Sequence, residues 1–225
     1  MTYSLLGRCA RTGQFGAVVT TSAIGVGSRC PFAQAGIGAA LTQHRTDPRL
    51  GPLAVSLLAS GFSAQEALDG VVAATPHRHW RQLAVIDRQG RTASFTGRNV
   101  RAPRGEAHGR DCVAIGNILR NDAVPAAMAA AFEADPAAPL ASRLVAAILA
   151  GEAAGGEAAA VVSAALLVVH RESFPYVDLR VDRHAAPLEE LAALWASYAP
   201  EADAYVTRAI DPEAAPAYVA PPARQ

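Results

Sequence analysis

The chain has 225 residues, 51% hydrophobic and 18% charged, which excludes a disordered chain and sets the length of one large domain or two small ones. Twenty arginines, with no lysine, balance twenty acidic residues, and there are only three cysteines; neither a polycation for nucleic acid nor a disulfide-stapled module is expected. No apolar run approaches the roughly 18 residues of a membrane span, and the start Met1-Thr2-Tyr3-Ser4 lacks the features of a secretion signal, so the expected location is the cytoplasm.

In chain order, Tyr3 to Cys9 and Phe15 to Ser22 read as a hairpin turning at Arg11-Thr12-Gly13-Gln14, with Leu5 facing Val19 and Thr2 facing about Ser22. A third strand is expected over Gly36 to Gln43. Asp47-Pro48 offers an N-cap and a first-turn proline to a helix carrying Leu53, Leu57 and Leu58 and stopping at Gly61. Ser63 and Glu66 form a capping box for a second helix that ends before Thr75-Pro76. Gln82 to Asp87 and Arg91 to Thr96 make a second hairpin around Arg88-Gln89-Gly90, and residues 97–111 read as an Arg-rich loop.

Cys112 to Ile115 is a short strand entering Gly116-Asn117, after which Asn121 or Asp122 can cap an alanine-rich helix ending near Asp135-Pro136. Leu140, Leu144, Val145, Ile148 and Leu149 keep helical spacing until Gly155-Gly156. Val161 to Val169 is continuous enough for a strand covered on both faces, with Tyr176 to Val181 as its partner. Pro187 opens a last helix with Leu188, Leu191, Leu194, Trp195 and Tyr198 on one stripe. Strands and helices come in runs rather than in alternation, which argues for two mostly antiparallel sheets packed face to face with helices outside. One domain over 1–200 is expected, followed by a Pro/Ala-rich tail, 201–225, lying on the domain or on a partner subunit.

Charge is uneven along the chain. Residues 1–120 hold fourteen Arg against six acids, and residues 121–225 hold six against fourteen. Either the halves complement each other in the fold, or an Arg-lined mouth attracts an anionic substrate.

Several motifs fail. Gly36-Ile37-Gly38-Ala39-Ala40-Leu41 ends its would-be dinucleotide fingerprint on leucine and sits in a strand; the phosphate loop lacks its lysine; no G-x-S-x-G elbow is present. His77-Arg78-His79 has no carboxylate or thiolate nearby to complete a metal shell, and Cys9, Cys30 and Cys112 are too scattered for a zinc cluster. Glu152 and Glu157, beside a helix end, read as solvated. The arginines at 98, 101, 104 and 110 lack the interleaved aromatics of a nucleic-acid surface.

Thr2 is the residue that carries chemistry. Threonine after the initiator is small enough for Met1 to be removed, and an exposed Thr2 sets a nucleophilic Oγ beside its own α-amine, whose reference pKa of about 7.7–8.0 lets it serve as general base. The hairpin partner brings Thr21 or Ser22 close enough to orient that amine.

Over nearly its full length the chain resembles DUF1028, a bacterial family of unknown function assigned to the Ntn-hydrolase-like αββα fold. The residues that carry the resemblance are Thr2-Tyr3-Ser4, Ala35-Gly36-Ile37-Gly38-Ala39 with Thr42-Gln43, Arg81-Gln82 ahead of Asp87, and Thr96-Gly97. They continue in Gly116-Asn117-Ile118-Leu119, in Gly151 to Gly156, in Ser163 to Val169 and in Val177 to Asp182. The layout is also similar to the proteasome-type branch of that superfamily. Two departures stand out: there is no lysine to depress the amine's pKa, and Glu157-Ala158-Ala159-Ala160-Val161-Val162 lacks the polar residues usual in the family ahead of Ser163.

The resemblance implies an α+β, four-layer αββα sandwich and a hydrolase acting on the C–N bond of a small, possibly anionic amide through Thr2. Asn117 and the backbone N–H groups of a turn at Gly116 are then candidates for the oxyanion hole, and Thr21, Ser22 and Ser163 for orienting the amine. Gln43, Asp178 and Arg98 are candidates for substrate contact. The alternative is a non-catalytic binding or assembly protein that retains Met1. No cofactor, metal, nucleic acid or membrane is implied, and the alanine-rich helices and apolar Tyr205 to Tyr218 stretch suggest a homodimer or larger assembly.

Overall fold

The structure, a computed structural model, describes residues 1–217. Ten strands and six α-helices follow in runs: β1 (Thr2–Arg8), β2 (Phe15–Thr21), β3 (Pro31–Gln34), β4 (Gly38–Gln43), α1 (Leu50–Ala59), α2 (Ala64–Ala74), β5 (Gln82–Asp87), β6 (Thr92–Thr96), β7 (Arg104–Gly109) and β8 (Cys112–Asn117). The chain continues with α3 (Val124–Glu133), α4 (Leu140–Ala153), β9 (Ser163–Val169), β10 (Val177–Val181), α5 (Pro187–Tyr198) and α6 (Ala202–Ile210). One sheet has the order β10-β9-β2-β1-β8-β7 and the other β3-β4-β5-β6, and every pairing is antiparallel.

The layers follow from period-two side-chain alternation. Along β1, Tyr3 and Leu5 turn toward α3 and α4, where they join Met128, Phe132, Leu144 and Ile148. Leu6, on the other face, meets Leu41, Ile86, Val113 and Ile115 between the sheets. Helices α1 and α2 close the outer face of the second sheet on Leu83 and Val85. Helix, sheet, sheet and helix therefore stack as the four-layer αββα sandwich expected. Among the described residues no helix is long and apolar enough to cross a membrane.

The capping box forms as read: Ser63 Oγ accepts from Glu66 N, and the Glu66 carboxylate accepts from Ser63 N. Pro187 opens α5 as read. Asp47 does not cap α1, whose N-cap is Arg49; its carboxylate instead accepts from Arg49 and pairs with Arg81 at 3.5 Å. Neither Asn121 nor Asp122 caps α3, whose N-cap is Ala123; Asn121 Oδ1 instead accepts from Ala123 N at 2.9 Å in the turn just ahead of it.

Three elements were not anticipated. β7 lies within the expected Arg-rich loop, β3 falls in a stretch given no element, and α6 occupies the start of the expected tail, touching the body through Tyr176 Oη, which donates to Asp203 at 2.9 Å, and through a Tyr198–Tyr205 stack. Residues 218–225, the rest of that tail, fall outside the described residues.

The first hairpin is one residue out from the expected register. Leu5 pairs with Val18 and Tyr3 with Thr20. The turn closes earlier than supposed, with Cys9 N on Gln14 O at 2.9 Å and Gly13 at φ 76°. A one-residue slip swaps the faces of a strand, so Thr21 rather than Ser22 lies beside Thr2.

Candidate active site

The space between the sheets is apolar at one end and polar at the other, because the antiparallel strands bring their polar ends together. Thr2 and Ser4 begin β1, Asn117 ends β8, Gln43 ends β4 and Gln82 begins β5, all on the inner faces. Ser4 Oγ donates to Gln43 Oε1 at 2.7 Å, and Gln43 Nε2 donates to Gln82 Oε1 at 2.7 Å. Asn117 Nδ2 donates to the same Gln82 oxygen at 2.9 Å, while Gln82 Nε2 donates to Gly116 O and Thr96 Oγ1. Gln82 is thus the hub of a fully buried amide chain, and its bonds fix the orientation of every amide in it.

Thr2 lies at the same polar end, 6% exposed, next to the exposed Met1. Its Oγ lies 3.3 Å from Thr21 Oγ, and both hydroxyls donate to the Met1 carbonyl. Thr2 pairs across the ladder with Asn117, which pairs in turn with Arg104; Thr21 pairs with Ser163. A single cross-strand row therefore brings Thr2, Thr21 and Asn117 together.

Glu157, expected in solvent beside a helix end, lies inside next to Ser22. It is 3% exposed, because Gly155 and Gly156, at φ 129° and 60°, turn the chain back from α4 to bridge Leu119. Its Oε2 accepts from Ser22 N at 3.2 Å and its Oε1 has no partner. Burial pushes its carboxyl up to about 7, against the opposing pull of the terminal amine and Ser22. The amine of Met1 is pulled below its ordinary value by burial, with Glu157 acting to raise it and Arg101 to lower it. Burial also lowers His44, whose Nδ1 lies 2.9 Å from Trp80 O. Only the two glycines before Glu157 hinted in the sequence that this carboxylate is folded inward.

Backbone strain gathers at the same end. His44 and Arg45, directly after Gln43, take φ of 50° and 43°, and Ile118, directly after Asn117, takes 54°. A β-branched residue in the left-handed region costs of order 1–3 kcal/mol, and such residues cluster where a site is being shaped.

The other expected site residues fall elsewhere or act differently. Asn117 was read as an oxyanion-hole donor, but its Nδ2 is committed to Gln82 and its free atom is the acceptor Oδ1, buried and without a partner. Gly116 is not in a turn: it lies within β8 between Tyr3 and Gly105, and Leu119 folds so close that a Cβ there would meet its Cδ1 at 2.8 Å. Ser163 Oγ donates to Ala23 O at 2.6 Å and accepts from Val26 N, so it fastens the loop after β2 rather than touching Thr2. Ser22 reaches the site through its N–H on Glu157. Gln43 is one step removed, behind Ser4.

Asp178 is apart, exposed on β10 and bound to Arg180 at 2.8 Å. Arg98 is exposed and lines a cavity of about 490 Å³ with Arg78, His79 and Thr96, the last bonded to Gln82. His77 and His79 lie beside it with ring centroids 6.3 Å apart.

The arrangement offers a hydroxyl at the second residue, a neighbouring hydroxyl, two buried acceptors lacking donors and a carboxyl with a raised pKa. The model of a family described as of unknown function, DUF1028, matches residues 2–191. The crystal structure of a DUF1028 protein from Silicibacter pomeroyi is similar, with a TM-score of 0.81 and 31% identity over 88% of each chain. Anbu, the ancestral β-subunit, from Yersinia bercovieri aligns over 96% of this chain and 100% of its own at 11% identity and a TM-score of 0.42. Among curated proteins none matches.

Proposed function

The chain belongs to the DUF1028 family, and on that premise we propose that it is an N-terminal-nucleophile hydrolase that cleaves the C–N bond of a small amide through Thr2. One observation carries this reading: the Thr2 and Thr21 hydroxyls converge on a single carbonyl oxygen, that of Met1, at the polar end of the space between the sheets. Once Met1 is removed, the α-amine of Thr2 takes the place of that peptide nitrogen, beside its own Oγ.

In the proposed reaction the Thr2 hydroxyl proton passes to the Thr2 amine as Oγ bonds to the substrate carbonyl carbon. The C–N bond then breaks, the amine returns the proton to the leaving nitrogen, and the acyl group stays on Oγ as an ester. Water, deprotonated by the same amine, releases the acid and restores Thr2. Asn117 Oδ1 and the Glu157 carboxyl supply acceptors for the amine's N–H groups, which is the polarity an amine needs and an oxyanion does not. Thr21 Oγ, freed from Met1, is the hydroxyl donor nearest the reacting oxygen. The Arg98 cavity, joined to that polar end through Thr96 and Gln82, suits an anionic tail on the substrate.

A second reading is favoured by the same bonds in reverse: with Met1 retained, its carbonyl holds both hydroxyls and the chain serves as a non-catalytic binding or assembly scaffold, in a homodimer or larger assembly. Screening a panel of small amides with wild type and Thr2→Ala, with intact mass reporting Met1 removal, decides between them. Turnover that vanishes with Thr2→Ala supports the hydrolase; equal turnover by both, or quantitative retention of Met1 in the cell, removes it.

A further inference from the structure

The end of the β1–β8 pair remote from Thr2 holds a second concentration of charge. Along β1 the two ends lie about 20 Å apart at some 3.3–3.4 Å per residue. There a cavity of about 640 Å³ is lined by Arg8, Arg11, Arg110 and Arg143, facing Asp111 and Glu133. Four guanidinium groups against two carboxylates leave an excess of two positive charges.

Arg143, on α4, is the informative member. It is 7% exposed, its Nε donates to Phe132 O at 2.9 Å, and its guanidinium lies 3.8 Å above the Phe132 ring. These contacts fix its plane and leave its two terminal nitrogens without a hydrogen-bond or carboxylate partner among the described residues. Those nitrogens open on the cavity, where an oxyanion would find them already oriented. The carboxylates present are engaged otherwise: Asp111 is paired with Arg8 at 2.7 Å, and Glu133 accepts from Arg110 N. Arg11 reaches across the opening to Ala137 O at 2.9 Å. The apolar part of the lining, Ala10 and Pro136 among it, leaves room for more than a bare ion.

We propose that this cavity binds a small organic dianion, its phosphate or paired carboxylate groups held by the terminal nitrogens of Arg143 together with Arg11 and Arg110. Planar guanidinium forks match both oxyanions bidentately, so the shared chemistry is the dianion. The site is separate from Thr2 and does not depend on the hydrolase reading.

The test is binding followed by thermal shift and calorimetry, using glycerol 3-phosphate in one arm and succinate in the other. Chloride at matched ionic strength is the control. At least one ligand is expected to give a saturable shift that Arg143→Met weakens tenfold or more, and that Arg11→Ala, on the surface, weakens in the same direction. Thr2→Ala should bind as wild type. A shift from one ligand alone assigns phosphate or dicarboxylate, and a shift from both assigns dianions generally. No shift beyond chloride overturns the proposal, as does an unchanged response in Arg143→Met and Arg11→Ala. Should Arg143→Met fail to fold, Arg11→Ala and Arg110→Ala decide it alone.

Discussion

While Met1 is attached, the Thr2 hydroxyl donates to the carbonyl of Met1 and no free amine stands beside it. On the proposed reading, removing that residue turns a capped strand end into a nucleophile with its own base. Thr2→Ala is therefore expected to lower amide turnover by roughly 10³-fold or more, measured as initial rate on any substrate the panel yields. Thr21→Val removes only the hydroxyl 3.3 Å from Thr2 Oγ. It should cost about fivefold in rate, the worth of one hydrogen bond of about 1 kcal/mol, with little change in thermal midpoint. The contact between Thr2 and Thr21 was legible in the sequence because the first hairpin brings the two strand ends together. Glu157 was not: its burial depends on two glycines turning the chain onto Leu119, a long-range contact that carries no local pattern.

Among elements, the strands with alternating or continuous apolar residues were readable, and those without were missed. β7, Arg104–Gly109, shows neither pattern; among the described residues it is an edge strand paired with β8 alone. β3, Pro31–Gln34, is a four-residue edge strand beginning on proline, short and blunt as sheet edges tend to be. Capping chemistry is local and was legible at α2, where Ser63→Ala is expected to cost about 1 kcal/mol of unfolding free energy in denaturant titration. The inter-sheet amide chain makes a larger demand. Gln82→Leu leaves Gln43 Nε2, Asn117 Nδ2 and the Gly116 carbonyl without their buried partner. The expected loss is about 3 kcal/mol or more by the same titration, since each orphaned group costs about 1–3 kcal/mol.

For the whole molecule, the layer order followed from the runs of strands and helices, whereas the charge asymmetry did not resolve as simple complementation. Each ion pair described joins residues of the same half, such as Arg8–Asp111, Arg91–Asp87 and Arg180–Asp178. Stability against pH is set by buried groups instead. Glu157, raised by burial to about 7 from 4.5, holds its proton more tightly when folded than unfolded. Its contribution is complete below pH of about 4.5 and lost as pH rises through about 7, up to about 3 kcal/mol. His44, lowered by burial, acts in the opposite sense below its ordinary value of 6.5. Asp47, held down chiefly by Arg49, and Asp87, held down by Arg91 and nearby N–H groups despite its burial, lose their contribution only as pH falls below about 4. The difference in thermal midpoint between Glu157→Gln and wild type should therefore grow in the variant's favour from pH 5 to pH 8; a constant difference would place Glu157 in solvent.

The sharpest single measurement is peptide mass mapping after treatment with a β-lactone acylating agent, on matched preparations with Met1 removed and Met1 retained. The account predicts one added acyl group on the Thr2 peptide of the Met1-free chain, none on Thr2→Ala and none on the chain that keeps Met1. Labelling at another residue, or equal labelling whether or not Met1 is present, would contradict it.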